Sequence, residues 1–421
     1  FFRETFEMFG VEPQFARRSE YKSGPEQYTE SGSTEPNKEQ MEALLDDLSH
    51  ALLSSVAEGR SKDLAEVREL VDDGPFVARE ALEAGLVDGL IYPEELDSLD
   101  MLIAEGLPED YDIEDEYGAR DDTPGWKGRK AIAVVYVVGA IMPGSTQGAP
   151  IFGGSVQAGS DTIVRQLEQA RKDDDVEAVI IRVDSPGGSA FASDEIWYAV
   201  ERLKKEGKPV VVSMGSVAAS GGYYVSAGAD AIFALPTTVT GSIGVYSGKF
   251  SASDLFGSLG IRTETYTRGR KAAMWTNSRP WDDVEFAAIQ SGIDEVYSQF
   301  KDKVIEGRSM ESEAVERVAR GRVWSGSDAQ HLGLVDELGG FYDAIEKAKE
   351  LAELADERQV TLVTYSNIPG SDGSLRQTLL QLSLSRAGLP SLPPEIEQLY
   401  MLHQLSDQHT WAYMPYHLEI H

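Results

Sequence analysis

Between residues 131 and 245 the chain switches between two patterns of hydrophobic positions. Short, nearly continuous apolar runs occur at "AIAVVYVV" (131–138), "AVIIRV" (178–183), "PVVVSM" (209–214) and "AIFAL" (231–235). Between them, "SDTIVRQLEQARK" (160–172) and "ASDEIWYAVERLKKEG" (192–207) repeat their apolar residues at three- and four-residue spacing. Unbroken runs predict strands buried on both faces, and the longer period predicts amphipathic helices. Ser160 or Asp161 is placed to cap the first of these helices. Strands interleaved with helices predict an α/β domain whose sheet is largely parallel and covered on both sides. The longest apolar stretch, "AIAVVYVVGAIM" (131–142), falls short of the roughly 20 residues that cross a bilayer and reads as a buried strand.

The pattern also repeats over a longer distance. "AREALEAGLVDGL" (78–90) returns as "GSDAQHLGLVDEL" (326–338), with Gly85 matching Gly333 and Asp88 matching Asp336, both 248 positions later. "FEMFGVEPQFARRSEYKSG" (6–24) returns more loosely as "DLFGSLGIRTETYTRGRKAA" (254–273). Each copy reads as a helix, a glycine, an edge strand and a basic loop. Residues 1–100 therefore read as the later part of a first copy whose beginning is missing, and 127–365 as a complete second copy. The acidic stretch within 101–126 reads as a linker. Residues 366–421 read as a tail, with a helix candidate at "LRQTLLQLSLSRAGL". The chain opens on Phe1, which reads as a fragment or a processed form, so a leader or membrane anchor upstream would not be visible.

Composition narrows the partners. The 421 residues carry a net charge of −33, which argues against nucleic acid, because phosphate binding needs clustered lysine and arginine. With 41% hydrophobic residues the chain can fill a core. Cysteine is absent, so disulfides and thiolate metal sites are excluded. Nothing in the sequence calls for a cofactor or a metal.

Two glycine-rich turns follow predicted strands, "DSPGGSA" (184–190) and "AASGGYY" (218–224). Ligands of α/β sheets bind beyond the carboxyl ends of the strands. Glycines there let backbone N–H groups approach a substrate closely. Ser220 stands where a helix begins, with the N–H of Gly221 beside it, which suits a nucleophile next to an oxyanion donor. Two tight turns that use glycine for backbone reasons alone are the plainer alternative. Ser216 reads as small-residue packing. A nucleophilic serine needs a base. No histidine lies between His50 and His331, and four of the six fall in the last 19 residues. A lysine serves if an apolar enclosure depresses its pKa by about 3 units.

In order and spacing, "SPGGS", "VSMGSVAASGGYY" and "TGSIGV" resemble the signal peptide peptidase A (protease IV) family. "ARGRVWSGSDAQHLGLVDELGGFYDAI" (319–345) is similar to that family's closing segment, and the doubling resembles its long, tandem form. The resemblance implies a Clp-protease/crotonase-like fold of repeated β-β-α units in two tandem copies, the first one partial. It implies Ser220 as nucleophile, with Gly221, Gly187 and Gly188 as oxyanion donors. Ser242 of "TGSIGV" is implied to hold the lysine amine. The base is implied to be Lys22 of "EYKSG", from the first copy. Lys271 of "RGRKAAM" stands at the equivalent place in the second copy and remains the alternative.

The activity implied is that of a serine endopeptidase with a Ser-Lys dyad. Its substrates would be remnant signal peptides or other apolar peptides in or at the membrane. A homo-oligomeric ring (a tetramer), membrane association and an extracytoplasmic site, periplasmic in a Gram-negative cell, belong to the same implication. A crotonase-type acyl-CoA enzyme and a non-catalytic assembly module of the same fold are the rival readings.

Overall fold

The structure is a computed structural model that describes residues 1–90, 130–146, 156–355 and 360–365 and the backbone of 411–413. The expected linker and the tail helix candidate lie outside the described residues. Strands are numbered along the chain as β1 (Glu12–Arg17), β2 (Ala131–Val138), β3 (Ala140–Met142), β4 (Gln157–Gly159), β5 (Val176–Ser185), β6 (Gly187–Ser189), β7 (Val210–Ala219), β8 (Ala231–Ala234), β9 (Val239–Gly241), β10 (Tyr246–Ser251), β11 (Val323–Ser325), β12 (Glu337–Leu338), β13 (Thr361–Thr364) and β14 (Trp411–Tyr413).

The apolar runs form the centre of one sheet, in the order β11-β9-β7-β5-β2-β13, with β8 also beside β7 and β12 beside β8. Its strands pair in parallel, except that β11 runs against β9. Val135, Val137, Val179, Ile181, Val183 and Val212 are buried in one core with Leu167 and Ile196 from the flanking helices Ser160–Lys172 and Ala190–Lys205. This mixed α/β architecture with a parallel sheet is the fold class expected. Among the described residues no helix is long and apolar enough to cross a membrane.

Strand β7 decides where the site lies. Its first half (Val211–Ser213) pairs with β8, and its end (Val217–Ala219) pairs with β9. Against β5 the register jumps from Val183–Met214 to Ser185–Ala218, so residues 215–217 bulge from the ladder. Ser216 is exposed on that bulge rather than packed, which corrects its reading as a packing residue. The strand also runs five residues beyond the apolar run and reaches Ala219, so Ala218 and Ala219 of the expected turn are strand. Side-chain alternation carries little signal in such small residues.

The expected cap also differs. Gly159 occupies the N-cap of helix Ser160–Lys172, without a side-chain bond. The Ser160 hydroxyl instead donates to Glu195 at 2.8 Å, linking two helices.

The chain divides into two compact units, residues 1–45 with 127–421, and residues 46–126. The repeat is visible helix by helix. Glu35–Arg60 and Asp283–Arg308 both have 26 residues. Leu64–Asp73 answers Ser312–Val318, and Ala78–Glu83 answers Gly326–His331. Gly85 and Gly333 both take positive φ, +69° and +78°, just after the third of these helices. Arg60 pairs with Asp88 as Arg308 pairs with Asp336. One expected element is absent from the second copy. In the first, β1 lies antiparallel to β10, from Glu12 opposite Ser251 to Arg17 opposite Tyr246. The matching residues 261–267 form no strand and are exposed, because nothing within the described residues pairs with them.

Candidate active site

Ser220 is the single residue between the end of β7 and the helix Gly221–Ser226. It takes φ 53° and ψ −114°, a conformation that a residue with a side chain adopts only under constraint. Two bonds supply that constraint. Its N–H donates to the Gly241 carbonyl at 2.8 Å, and its carbonyl accepts from the Tyr224 N–H at 2.8 Å. The small residues after it are required by packing. A Cβ on Gly222 would sit 2.6 Å from the Ser185 carbonyl oxygen, so the helix lies directly on the end of β5. Ser242, one residue past β9, also has positive φ (51°) and donates its N–H to the Arg322 carbonyl at 2.7 Å.

Lys22 reaches this point from the loop that follows β1. Its Nζ donates to Ser220 Oγ at 2.8 Å, to Ser242 Oγ at 3.0 Å and to the Ser242 carbonyl at 3.0 Å. Lys22 is 2% exposed and Ser220 fully buried. Burial, with no carboxylate to offset it, pushes the Lys22 amine down from 10.5 to about 7. At neutral pH a large share of the amine is therefore unprotonated. A neutral amine keeps two protons for the two Ser242 oxygens and turns its lone pair to the Ser220 hydroxyl.

The loop bearing Lys22 is held from both sides. Arg17 donates to Glu26 at 2.8 Å and to the Lys22 carbonyl at 3.4 Å. The buried Glu26 carboxylate also accepts from the Thr34 hydroxyl at 2.7 Å. Opposite, Gly321 has φ +80°, and a Cβ there would lie 2.6 Å from the Lys22 backbone nitrogen. Gly321→Ala is therefore expected to displace the lysine. The loss in kcat would be roughly 100-fold, with a stability cost of about 1–3 kcal/mol; kcat per active site and thermal melting measure the two. Gly321, Arg17 and Glu26 escape the pattern analysis. The available signal for Gly321 is a glycine inside the charged turn "ARGR", where glycine serves positive φ.

The other expected site residues separate into two groups. Gly187 and Gly188 form β6 beside Ser185, both at positive φ, and the Gly187 N–H donates to Ser185 Oγ at 3.1 Å. A Cβ on Gly188 would lie 2.0 Å from the Ile141 carbonyl oxygen, so only glycine lets β3 come this close. Gly221 follows Ser220 directly. Lys271, by contrast, is exposed in a turn outside the Lys22–Ser220–Ser242 cluster. The backbone of 411–413 runs antiparallel along β6, with Ala412 opposite Gly188, and also meets β10.

Comparison with known proteins gives the family of the chain. The profile of peptidase family S49 matches residues 1–99 and 202–355, and that of Clp protease matches residues 151–241. Serine protease SPPA, chloroplastic, of Arabidopsis thaliana is 35% identical over 373 residues, 86% of this chain and 54% of that protein. Protease 4 of Haemophilus influenzae is 33% identical over 399 residues, 90% of this chain and 63% of that protein. Protease 4 of Salmonella typhi is 36% identical over 261 residues, 60% of this chain and 41% of that protein. The chain thus spans less than two thirds of the length of these relatives. With both repeats matched by one profile and relatives aligned across most of its length, the chain belongs to peptidase family S49.

Proposed function

We propose that this chain is a serine endopeptidase in which Lys22 activates Ser220. The observation that carries the reading is the 2.8 Å contact between a buried lysine amine and a buried serine hydroxyl. As Ser220 Oγ attacks a peptide carbonyl, the lone pair of Lys22 takes the hydroxyl proton. The resulting ammonium gives a proton to the leaving amine. Water then attacks the acyl-enzyme, with Lys22 again accepting a proton. Ser242 holds the amine throughout by its hydroxyl and carbonyl oxygens. The developing oxyanion is assigned to the backbone N–H groups of Gly221 and Gly188, since the Gly187 N–H, the other expected donor, is held by Ser185 Oγ. A crotonase-type enzyme would use such donors too, but it has no need of an amine seated on a serine.

Extended apolar peptides are the proposed substrates, and remnant signal peptides follow from the resemblance to the signal peptide peptidase A family. Support for an extended peptide comes from β6, which already accepts a three-residue strand of this chain's own backbone. A ring of copies is part of the proposal. β1 of the first copy pairs with β10 of the second, and exposed residues 261–267 are left to pair with a further copy. Head-to-tail contacts of this kind close into rings when the rotation allows. Membrane association and an extracytoplasmic site rest on the resemblance alone.

Hydrolysis of apolar fluorogenic peptides by the intact chain, with covalent labelling by a fluorophosphonate, tests the reading. Labelling is expected at Ser220 and absent in Ser220→Ala. Turnover by Ser220→Ala above a few per cent would refute the assignment.

A further inference from the structure

The Lys22 contact depends on where the lysine backbone sits, because four flexible methylene groups separate Cα from Nζ. A buried amide controls that position. Gln40, on the helix Glu35–Arg60, is 1% exposed. Its Nε2 donates to the Tyr21 carbonyl at 3.2 Å and to Ser23 Oγ at 2.9 Å, the residues on either side of Lys22. Its Oε1 accepts the N–H of Val323 at 3.2 Å. Val323 stands opposite Gly241 in the β11–β9 pair, and the preceding Arg322 carbonyl takes the Ser242 N–H. Asn37 orients the amide, since its Oδ1 accepts from both Gln40 Nε2 and Ser23 Oγ at 3.0 Å.

We infer that Gln40 is a positioning residue, which sets Lys22 against Ser220 by tying both neighbours of the lysine to the strand beside Ser242. Most buried glutamines merely satisfy their own polar atoms. This one joins two copies of the repeat, bonding both neighbours of Lys22 on one side and Val323, opposite Gly241, on the other. The task needs a donor and an acceptor on one planar group of this length. Glutamate lacks the donor, asparagine is one carbon short, and methionine has the length but neither function. Catalytic geometry tolerates displacements of only about 0.5 Å, so loosening this clamp should act on turnover before binding.

The inference rests on the Lys22–Ser220 reading, and its test separates the two. Gln40→Met and Asn37→Ala are made in the full chain. Active sites are counted with a fluorophosphonate, and kcat and KM are followed from pH 5 to 10 with an apolar fluorogenic peptide. For Gln40→Met, kcat per titrated site should fall roughly 10- to 100-fold, with KM within about twofold. The midpoint of the pH–rate curve should move upward, because a loosened loop admits water to the amine. Asn37→Ala should show the same change of midpoint with a smaller loss. A folded Gln40→Met with unchanged kcat and midpoint would overturn the inference. So would a loss that tracks the fall in melting temperature while the midpoint stays put. If Gln40→Met does not fold, an unmoved midpoint in Asn37→Ala overturns it. Should Ser220→Ala be inactive while Gln40→Met is fully active, the positioning role alone fails. An active Ser220→Ala refutes the dyad itself.

Discussion

Lys22→Met should remove peptide hydrolysis as completely as Ser220→Ala, with a loss of roughly a thousandfold or more in kcat, and the double variant should be no worse than either. Members of one catalytic unit fail together, since the serine has no nucleophilic form without its base and the amine has no task without the serine. The 2.8 Å contact and the burial of both groups motivate the expectation. Lys271→Met should keep most of the activity, because Lys271 is exposed and lies outside the cluster. Turnover with each variant, normalised to folded protein, decides the matter. If Lys271→Met is the inactive one, the serine takes its base from the second copy of another molecule, and the arrangement within one chain is not the working one.

Activity and stability should respond to pH through the same amine. Lys22 acts as a base only when neutral, so the rate should rise through about pH 7 and level off above it. A rate flat from pH 5 to 9 would remove lysine as the base. For stability the sign follows from the depressed value. The unfolded lysine titrates at 10.5 and the folded one at about 7, so between these values the unfolded chain binds more protons and stability rises with pH. Below pH 7 the cost of burying the ammonium is present in full, and it fades as pH rises toward 10.5. Lys22→Met removes this cost. Its melting temperature should exceed that of the parent most clearly near pH 6, by a free energy on the order of 4 kcal/mol, and the difference should shrink toward pH 10. An equal melting temperature for the two proteins at pH 6 would show that the amine is not desolvated. A gain in stability coupled to complete loss of activity is the expected mark of a site strained for function.

Pattern alone determined a good part of this molecule. Runs such as "AVIIRV" and "AIAVVYVV" mark strands buried on both faces, because period and apolar continuity are local records of burial. The 248-residue repeat appears in the positions of Gly85 and Gly333, since a backbone that requires positive φ keeps its glycine wherever the unit recurs. The lack of any histidine between His50 and His331 pointed toward another base.

Tertiary structure shows which of the two candidate lysines meets the serine. Lys22 and Lys271 both sit in short basic loops of repeated sequence, and only the "EYKSG" stretch, by its resemblance, put Lys22 first. What separates them is pairing. β1 has β10 to lie against, which carries Lys22 to Ser220 across 198 positions of sequence, while residues 261–267 have no such neighbour among the described residues. The lowered pKa likewise belongs to no residue by itself. It arises where Gly244 and Gly321 lie close against the stem and backbone of Lys22 while Ser220 and Ser242 meet its buried amine, and desolvation depends on the surrounding space rather than on the order of residues along the chain.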